Sequence, residues 1–430
     1  MGRMFDRYFF FALVVSTVPI LVLYNGLAGS HGNSVVTGLF IVSSLAAVAM
    51  FNQWRRFVPN LCDVAFAAYV GCISVSLWTN GVPDVKEAAL LMLTLAAYPA
   101  ARLFAGSGLK PTFVFVTLAI VTAGATVTAF ELTNQWNSIN DRVLLFGMYA
   151  AEGNFVLSLG ILLIALTSID MTTRQRIAAG FLIIPATVIF AASMVRLTFI
   201  AILVSLAIAA FLSAPRQRRQ IAAVILVALL AISTGLFARS HKTTLLAGYA
   251  ANGIETASRL MITAVAPSDP KAKPSGAKED KTALPSCSSK INLDDTIDIR
   301  IGLLRDALEL VKKSGLFGIG LDGFIRLSCI PTTAVHNSFL QAAIEFGWAA
   351  GLALLAMVGL ASFYILLLAQ SDAEARFALC SLVCITILTL GSGQTSRDGL
   401  LFLFLGLAAG LHNIKSGKFS DQTLNEFNPA

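Results

Sequence analysis

His336 stands in the string Val335-His336-Asn337-Ser338-Phe339-Leu340, just ahead of a long apolar run. Near neutral pH an imidazole can take a proton from a hydroxyl and give it back, so a histidine between a membrane surface and a polar loop suits a general base. A helix-capping or interfacial histidine is the other reading. Arg196 is the second unusual residue, because Ala191 to Val204 is otherwise almost wholly apolar. A guanidinium inside a membrane costs about 2.5 kcal/mol or more, so it needs an anion, water or the interface. It is either an anion ligand or a turn residue that snorkels to the surface between two spans. Arg300, together with Arg196, could fork onto phosphate oxygens, the geometry a guanidinium favours. Arg305 is a nearby reserve. Arg142, Glu152 and Asn154 precede or open an apolar run and are placed to line the same cavity, with Asn337 and Glu345 beside the histidine. Arg397 either reaches the same ligand or pairs with its neighbour Asp398 at the surface.

Other chemistry is poorly provided for. The four histidines, His31, His241, His336 and His412, are scattered, and no thiols pair at ligand spacing, so a metal site is not expected. No Walker motif is present, which leaves no direct use of ATP. The apolar runs hold few acidic residues at mid-depth, which argues against a proton-coupled transporter. The string Gly318-Ile319-Gly320-Leu321-Asp322-Gly323 matches a dinucleotide fingerprint letter by letter. That fingerprint works only between a strand and a helix; an amphipathic helix precedes this one, so it reads as a glycine turn. No cofactor is expected.

The elements that must position these groups are membrane helices. The chain is 56% hydrophobic and 13% charged, with a mean hydropathy of +0.77, whereas an ordinary soluble domain is about a quarter charged. Apolar runs of about 18 to 22 residues recur, the length that spans roughly 30 Å of hydrocarbon. About twelve spans are expected, near 8–28, 34–51, 61–79, 87–104, 111–131, 153–169, 177–195, 197–214, 220–238, 346–369, 377–392 and 399–412. The first follows Arg3 and Arg7 but ends in no convincing cleavage pattern. The fold class is therefore an all-α membrane protein with about twelve transmembrane helices and one large, partly helical loop. Three regions follow: a first bundle of about nine helices over 1–238, the loop over 239–345, and the last three helices with a tail over 346–430.

The net charge of +7 sits in short connections and implies no nucleic acid: Arg55 and Arg56, Arg102 and Lys110, Arg174 and Arg176, Arg216, Arg218 and Arg219, Arg376, Lys415 and Lys418. By the positive-inside bias most of these are cytoplasmic, as are both termini, and the large loop is outside. A strict count of spans leaves some of the basic connections on the other side. Within the loop, about 265–290 is rich in Pro, Lys, Ser and Asp and too poor in apolar residues to order itself. Asp294 to Lys313 then reads as an amphipathic helix on the stripe Ile297, Ile301, Leu304, Leu308 and Val311. Cys62, Cys72, Cys380 and Cys384 lie in or beside apolar runs, whereas Cys287 and Cys329 share the loop and could pair in an oxidising compartment.

In this order and topology the pattern resembles the O-antigen ligase and polymerase superfamily of bacterial inner-membrane glycosyltransferases. Arg300-Ile301-Gly302-Leu303-Leu304 is similar to the family's Arg-x-x-x-Leu element, and Gly347 follows His336 at the spacing of its His-x10-Gly element. The string HNSFLQAAIEFGWAAG, with Glu345 and Gly351, looks like the closing signature, LFGIGLDGF like its approach, and Arg196 stands where the family has an essential arginine. The resemblance implies metal-independent glycosyl transfer at the periplasmic face of the inner membrane. Its donor would be a glycan on undecaprenyl diphosphate and its acceptor the lipid A core. His336 would be the base, and Arg196 and Arg300 would hold the diphosphate. A polymerase of the same superfamily, or a non-enzymatic transporter of lipid-linked glycan, are the alternatives. The Lys/Pro-rich insert matches no family motif.

Overall fold

Inside hydrocarbon every backbone N–H and C=O must find a partner within its own segment, so an apolar chain of this kind folds into helices. The computed structural model describes residues 7–29, 34–50, 58–106, 109–136, 143–148, 151–169, 171–240, 296–330 and 333–426. A helix occupies each of the twelve expected apolar stretches. The first ten are α1 (Arg7–Val15), α2 (Thr17–Leu27), α3 (Ser34–Met50), α4 (Leu61–Asn80), α5 (Val85–Phe104), α6 (Pro111–Asn134), α7 (Glu152–Ser168), α8 (Thr173–Ala192), α9 (Arg196–Leu212) and α10 (Pro215–Ala238). The loop contributes α11 (Thr296–Ser314), α12 (Gly323–Leu327) and α13 (Ser338–Glu345). Then follow α14 (Trp348–Leu366), α15 (Leu368–Ser371), α16 (Ala373–Ser392) and α17 (Gly399–Glu426). Among the described residues seven helices are long and apolar enough to cross a membrane: α4, α5, α6, α8, α10, α14 and α16. The helices α7 and α9 and the stretch Gly399–Lys415 are apolar but shorter. The chain is a multi-pass membrane protein.

The first expected span is broken, with α1 and α2 meeting at 66°. Pro19 explains the break: it lacks an N–H and its ring would strike the carbonyl four residues back, at the end of α1. Helix starts follow local chemistry. The Asn60 side chain accepts from the amides of Cys62 and Asp63, and Asp63 closes a capping box on α4; Thr172 and Gln175 do the same for α8.

Close packing inside the bundle relies on glycines facing neighbouring helices. A Cβ on Gly406 of α17 would lie 2.2 Å from the Tyr98 carbonyl oxygen of α5, and one on Gly160 of α7 would lie 2.5 Å from Ile202 of α9. Lipid supplies no hydrophobic drive between helices, so such approach is what makes them associate.

Three of the basic connections, α5–α6, α7–α8 and the one before α16, gather at one end with the far part of α17. There Leu109, Pro111, Ser168, Ile169, Asp372, Glu374 and Lys415 line one cavity of about 260 Å³, and the Tyr8 hydroxyl donates to Glu374 at 3.1 Å. These contacts join the start of α1, the α5–α6 and α7–α8 connections, the start of α16 and the far part of α17. The opposite end, where α4 finishes and α14 begins, carries His336.

Candidate active site

The loop folds onto the bundle through α11. Its face Leu303, Ala307 and Leu310 is buried against Phe324, Ile330, Val335 and Ile344. The expected stripe differs: Leu304 and Leu308 point outward, and the inward stripe lies about a quarter-turn away. Buried Asp306 accepts the Cys329 amide at 2.8 Å and ties the approach to His336 onto α11. Cys329 is disulfide-bonded, and Cys62, Cys72, Cys380 and Cys384 are free. Cys287 lies outside the described residues.

The glycine run is a clamp. Gly315 turns the chain out of α11 at φ +64°. The amides of Ile319 and Gly320 then donate to the carbonyls of Ile344 and Glu345 at 3.0 and 2.9 Å, and the Ser314 hydroxyl donates to Ala343 at 3.1 Å. A Cβ on Gly318 would stand 2.3 Å from the Glu345 carbonyl oxygen, and one on Gly347, at φ +93°, 1.9 Å from that of Leu316. This gives the eleven-residue interval from His336 to Gly347 a physical meaning. It spans one short helix and the glycine against which the turn after α11 must lie, so the helix bearing Arg300 and the segment bearing His336 are locked together.

His336 itself sits in left-handed backbone at φ +58°, half-buried, between buried Val335 and the cap of α13. Asn337 forms that cap, accepting from Phe339 and Leu340 at 3.1 and 3.0 Å while its own amide donates to the Leu390 carbonyl at 3.2 Å. Those bonds occupy the side chain expected to meet substrate. Burial, and then the charge of Arg300, push the imidazole below its ordinary value of 6.5. The structure therefore brings Arg300 and His336 together and favours the neutral, proton-accepting imidazole at neutral pH.

Beneath them a buried hydrogen-bond network ties α13 to the connection between α16 and α17. Ser338 donates to Asp398, and the Thr395 hydroxyl donates to the Ser338 carbonyl at 3.1 Å. The Thr395 amide donates to Gln341 at 3.0 Å, and Gln341 donates to the Glu345 carboxyl at 3.2 Å. Burial raises Glu345 to about 8 and Asp398 to about 7. Glu345 is wholly enclosed, with the backbone amides of Asp322 and Phe324 facing it. Sequence reading sets it among the substrate-contacting residues; the structure places its carboxyl in the interior, against Gln341. Arg397, expected either to reach the ligand or to pair with Asp398, pairs in the structure with Glu87 at 2.7 Å, its own side chain more than half exposed. The one hint of Asp398's role was a carboxyl standing between two apolar runs.

Arg196 is the first residue of α9 and is exposed. It follows a turn with Met194 at φ +70°. Leu197 packs where a Cβ on Gly391 would lie, 2.5 Å away, next to the Leu390 carbonyl that Asn337 grips. The end of α16 is thus shared by the start of α9 and the His336 segment. Asn154 lies in the first turn of α7, beside the same region: a Cβ on Gly153 would lie 4.0 Å from Val195, and the Asn154 side chain donates to the Ala151 carbonyl at 3.4 Å. Two helix N-termini, α7 and α9, therefore turn their partial positive charge toward this end. Arg305 is exposed on α11 but roughly 140° around the helix from Arg300, so the two do not share a face. Arg142 lies outside the described residues. One cation escaped sequence reading: Arg239, buried at the end of α10, donates to the Ala192 carbonyl at 3.3 Å and lies over the Trp136 ring. It pins α10 to the turn that leads into Arg196, and its place after a basic-poor apolar run was the available signal.

The stretch 179–355, which begins in α8 and ends in α14, matches the family model described as O-antigen ligase. This match supports membership of the O-antigen ligase/polymerase family. No curated protein matches the chain at a significant level. The family stretch contains Arg196, Arg300, Arg305, His336, Asn337, Glu345, Gly347 and Gly351. Asp398, Arg397, Asn154 and Glu87 lie outside it, so part of the network beneath His336 is built by helices beyond the family stretch.

Proposed function

We propose that this protein is an O-antigen ligase that moves a glycan from undecaprenyl diphosphate to the lipid A core on the periplasmic side of the inner membrane. The observation that carries the reading is the pairing of a neutral-favouring histidine with an arginine on a facing helix, at the end of the bundle that also presents Arg196. In this reading His336 removes the proton from an acceptor hydroxyl, and the oxygen attacks the anomeric carbon of the donor sugar. The bond from that carbon to the carrier diphosphate breaks, and its electron pair leaves on the diphosphate. Arg300 and Arg196 match that growing charge, and the α9 N-terminus adds its dipole. Glu345, Gln341, Thr395, Ser338 and Asp398 hold the α13 cap, and with it the backbone of His336, at a fixed depth. The basic end of the bundle is then cytoplasmic, and the three regions 1–238, 239–345 and 346–430 act as a scaffold, a catalytic loop and a closing scaffold.

Purified protein in detergent, given undecaprenyl-diphosphate-linked glycan and lipid A core without nucleotide, tests this. Glycan on the lipid A core is the expected product. Longer carrier-linked chains with no lipid A product would make the protein a polymerase of the family. Intact carrier-linked glycan, with no new glycosidic bond, would leave a transporter.

A further inference from the structure

Helix α11 carries two apolar stripes, and only one is used inside the protein. Leu303, Ala307 and Leu310 face the buried cluster. Leu304 and Leu308 are 42% and 47% exposed, and the exposed apolar surface continues through Leu316 and Phe317, at 44% and 49%, to Trp348, also 49% exposed. With roughly 100° per residue, Leu304 and Leu308 lie about 100° and 140° around the helix from Leu303, and Lys312 and Arg305 come next at about 180° and 200°. The second stripe is therefore flanked by cations. Its location follows from covalent and hydrogen-bond geometry. The Trp348 amide donates to Gly315 at 3.2 Å, and the Leu316–Phe317 backbone lies in van der Waals reach of Gly347. The turn after α11 thus sits against the first residue of a membrane-spanning helix, at the depth where tryptophan and lysine mark the edge of the hydrocarbon.

We infer that this outer face of α11 docks on the bilayer itself, Leu304, Leu308, Leu316 and Phe317 entering the headgroup boundary and Lys312 and Arg305 meeting anionic lipid headgroups. The argument is continuity with the lipid-facing surface of α14 together with the cationic border, the pattern of an interfacial helix. The docking does not rest on the proposed function. Its consequence does: α11 would be held parallel to the surface, keeping Arg300 at the depth of a carrier diphosphate.

The test uses the full chain in lipid nanodiscs, with a spin label at Leu308→Cys, Phe317→Cys or Glu309→Cys and collisions with oxygen or a water-soluble nickel chelate. Labels at 308 and 317 are expected to relax severalfold more with oxygen, and the label at 309 with nickel. Replacing phosphatidylcholine by phosphatidylglycerol should strengthen the contrast at 308, and Lys312→Glu should abolish that gain. A label at 308 that meets nickel as freely as the one at 309 overturns the docking. Shielding from both agents does so too, because it would mean a protein partner covers the face. A contrast at 308 indifferent to lipid charge and to Lys312→Glu overturns the anionic headgroup as occupant. Transfer is not read in this experiment, so its failure is separate from failure of the ligase reading.

Discussion

The two ends of the bundle handle buried charge in opposite ways. At the basic end, carboxylates are paired: Arg102 meets Asp63 at 3.1 Å with Tyr98 adding a hydroxyl at 2.9 Å, Lys415 pairs with Asp372, and Tyr8 serves Glu374. At the His336 end, Glu345 and Asp398 are buried against an amide, a hydroxyl and backbone N–H groups, with raised affinity for protons. Paired charge glues helices together at one end. At the other, the two carboxyls sit among hydrogen-bond donors of no charge, and burial raises their affinity for protons.

The largest expected effect comes from the reacting end. His336→Ala should lower transfer by about 10²- to 10⁴-fold with an unchanged elution profile on size exclusion; transfer surviving within a few fold of the parent would break the assignment of the base. The paired end should respond in stability instead. Arg102→Ala leaves the half-buried Asp63 without its buried cation, and breaking a fully buried pair costs about 3–5 kcal/mol, so stability to thermal unfolding in detergent should shift down by up to that much. A small shift would show that the ends do not differ as described. Gly347→Ala probes the clamp between them. Left-handed strain alone costs about 1–3 kcal/mol, and the Leu316 carbonyl must also give way, so both melting point and transfer should fall together.

Two pH effects are subtler. Because His336 lies below 6.5 in the folded protein, the acidic limb of transfer should fall below that value. NMR titration of the imidazole in Arg300→Gln should move up toward it, since a repelling charge is gone. An unmoved titration would separate the two residues. Glu345 works with the opposite sign. A folded value of about 8 against an ordinary 4.5 means the folded state keeps a proton that the unfolded chain releases. Its stabilisation is complete below about 4.5 and is lost as pH rises to about 8. Glu345→Gln should flatten the melting point across that window, and an unchanged slope would show that another group carries it.

Much of the architecture could be read from the chain because hydrocarbon leaves the backbone few options. Run length and composition alone located a helix at each apolar stretch. The existence of α11 was legible in its period. Its inward face was not, because Leu303, Ala307 and Leu310 compete with an equally regular stripe of Leu304 and Leu308, and only a neighbour decides which is buried. Likewise His336, Arg300 and Arg196 could be singled out by residue type and by resemblance. Their company could not: Asp398 is sixty-two residues beyond His336, and Glu87 meets Arg397 across most of the chain. Sequence determines what each segment can form locally, where hydrogen bonding and solvent act residue by residue. Which carboxyl meets a cation and which stays with a hydroxyl depends on the helix that packs beside it, and that was settled only by the tertiary fold.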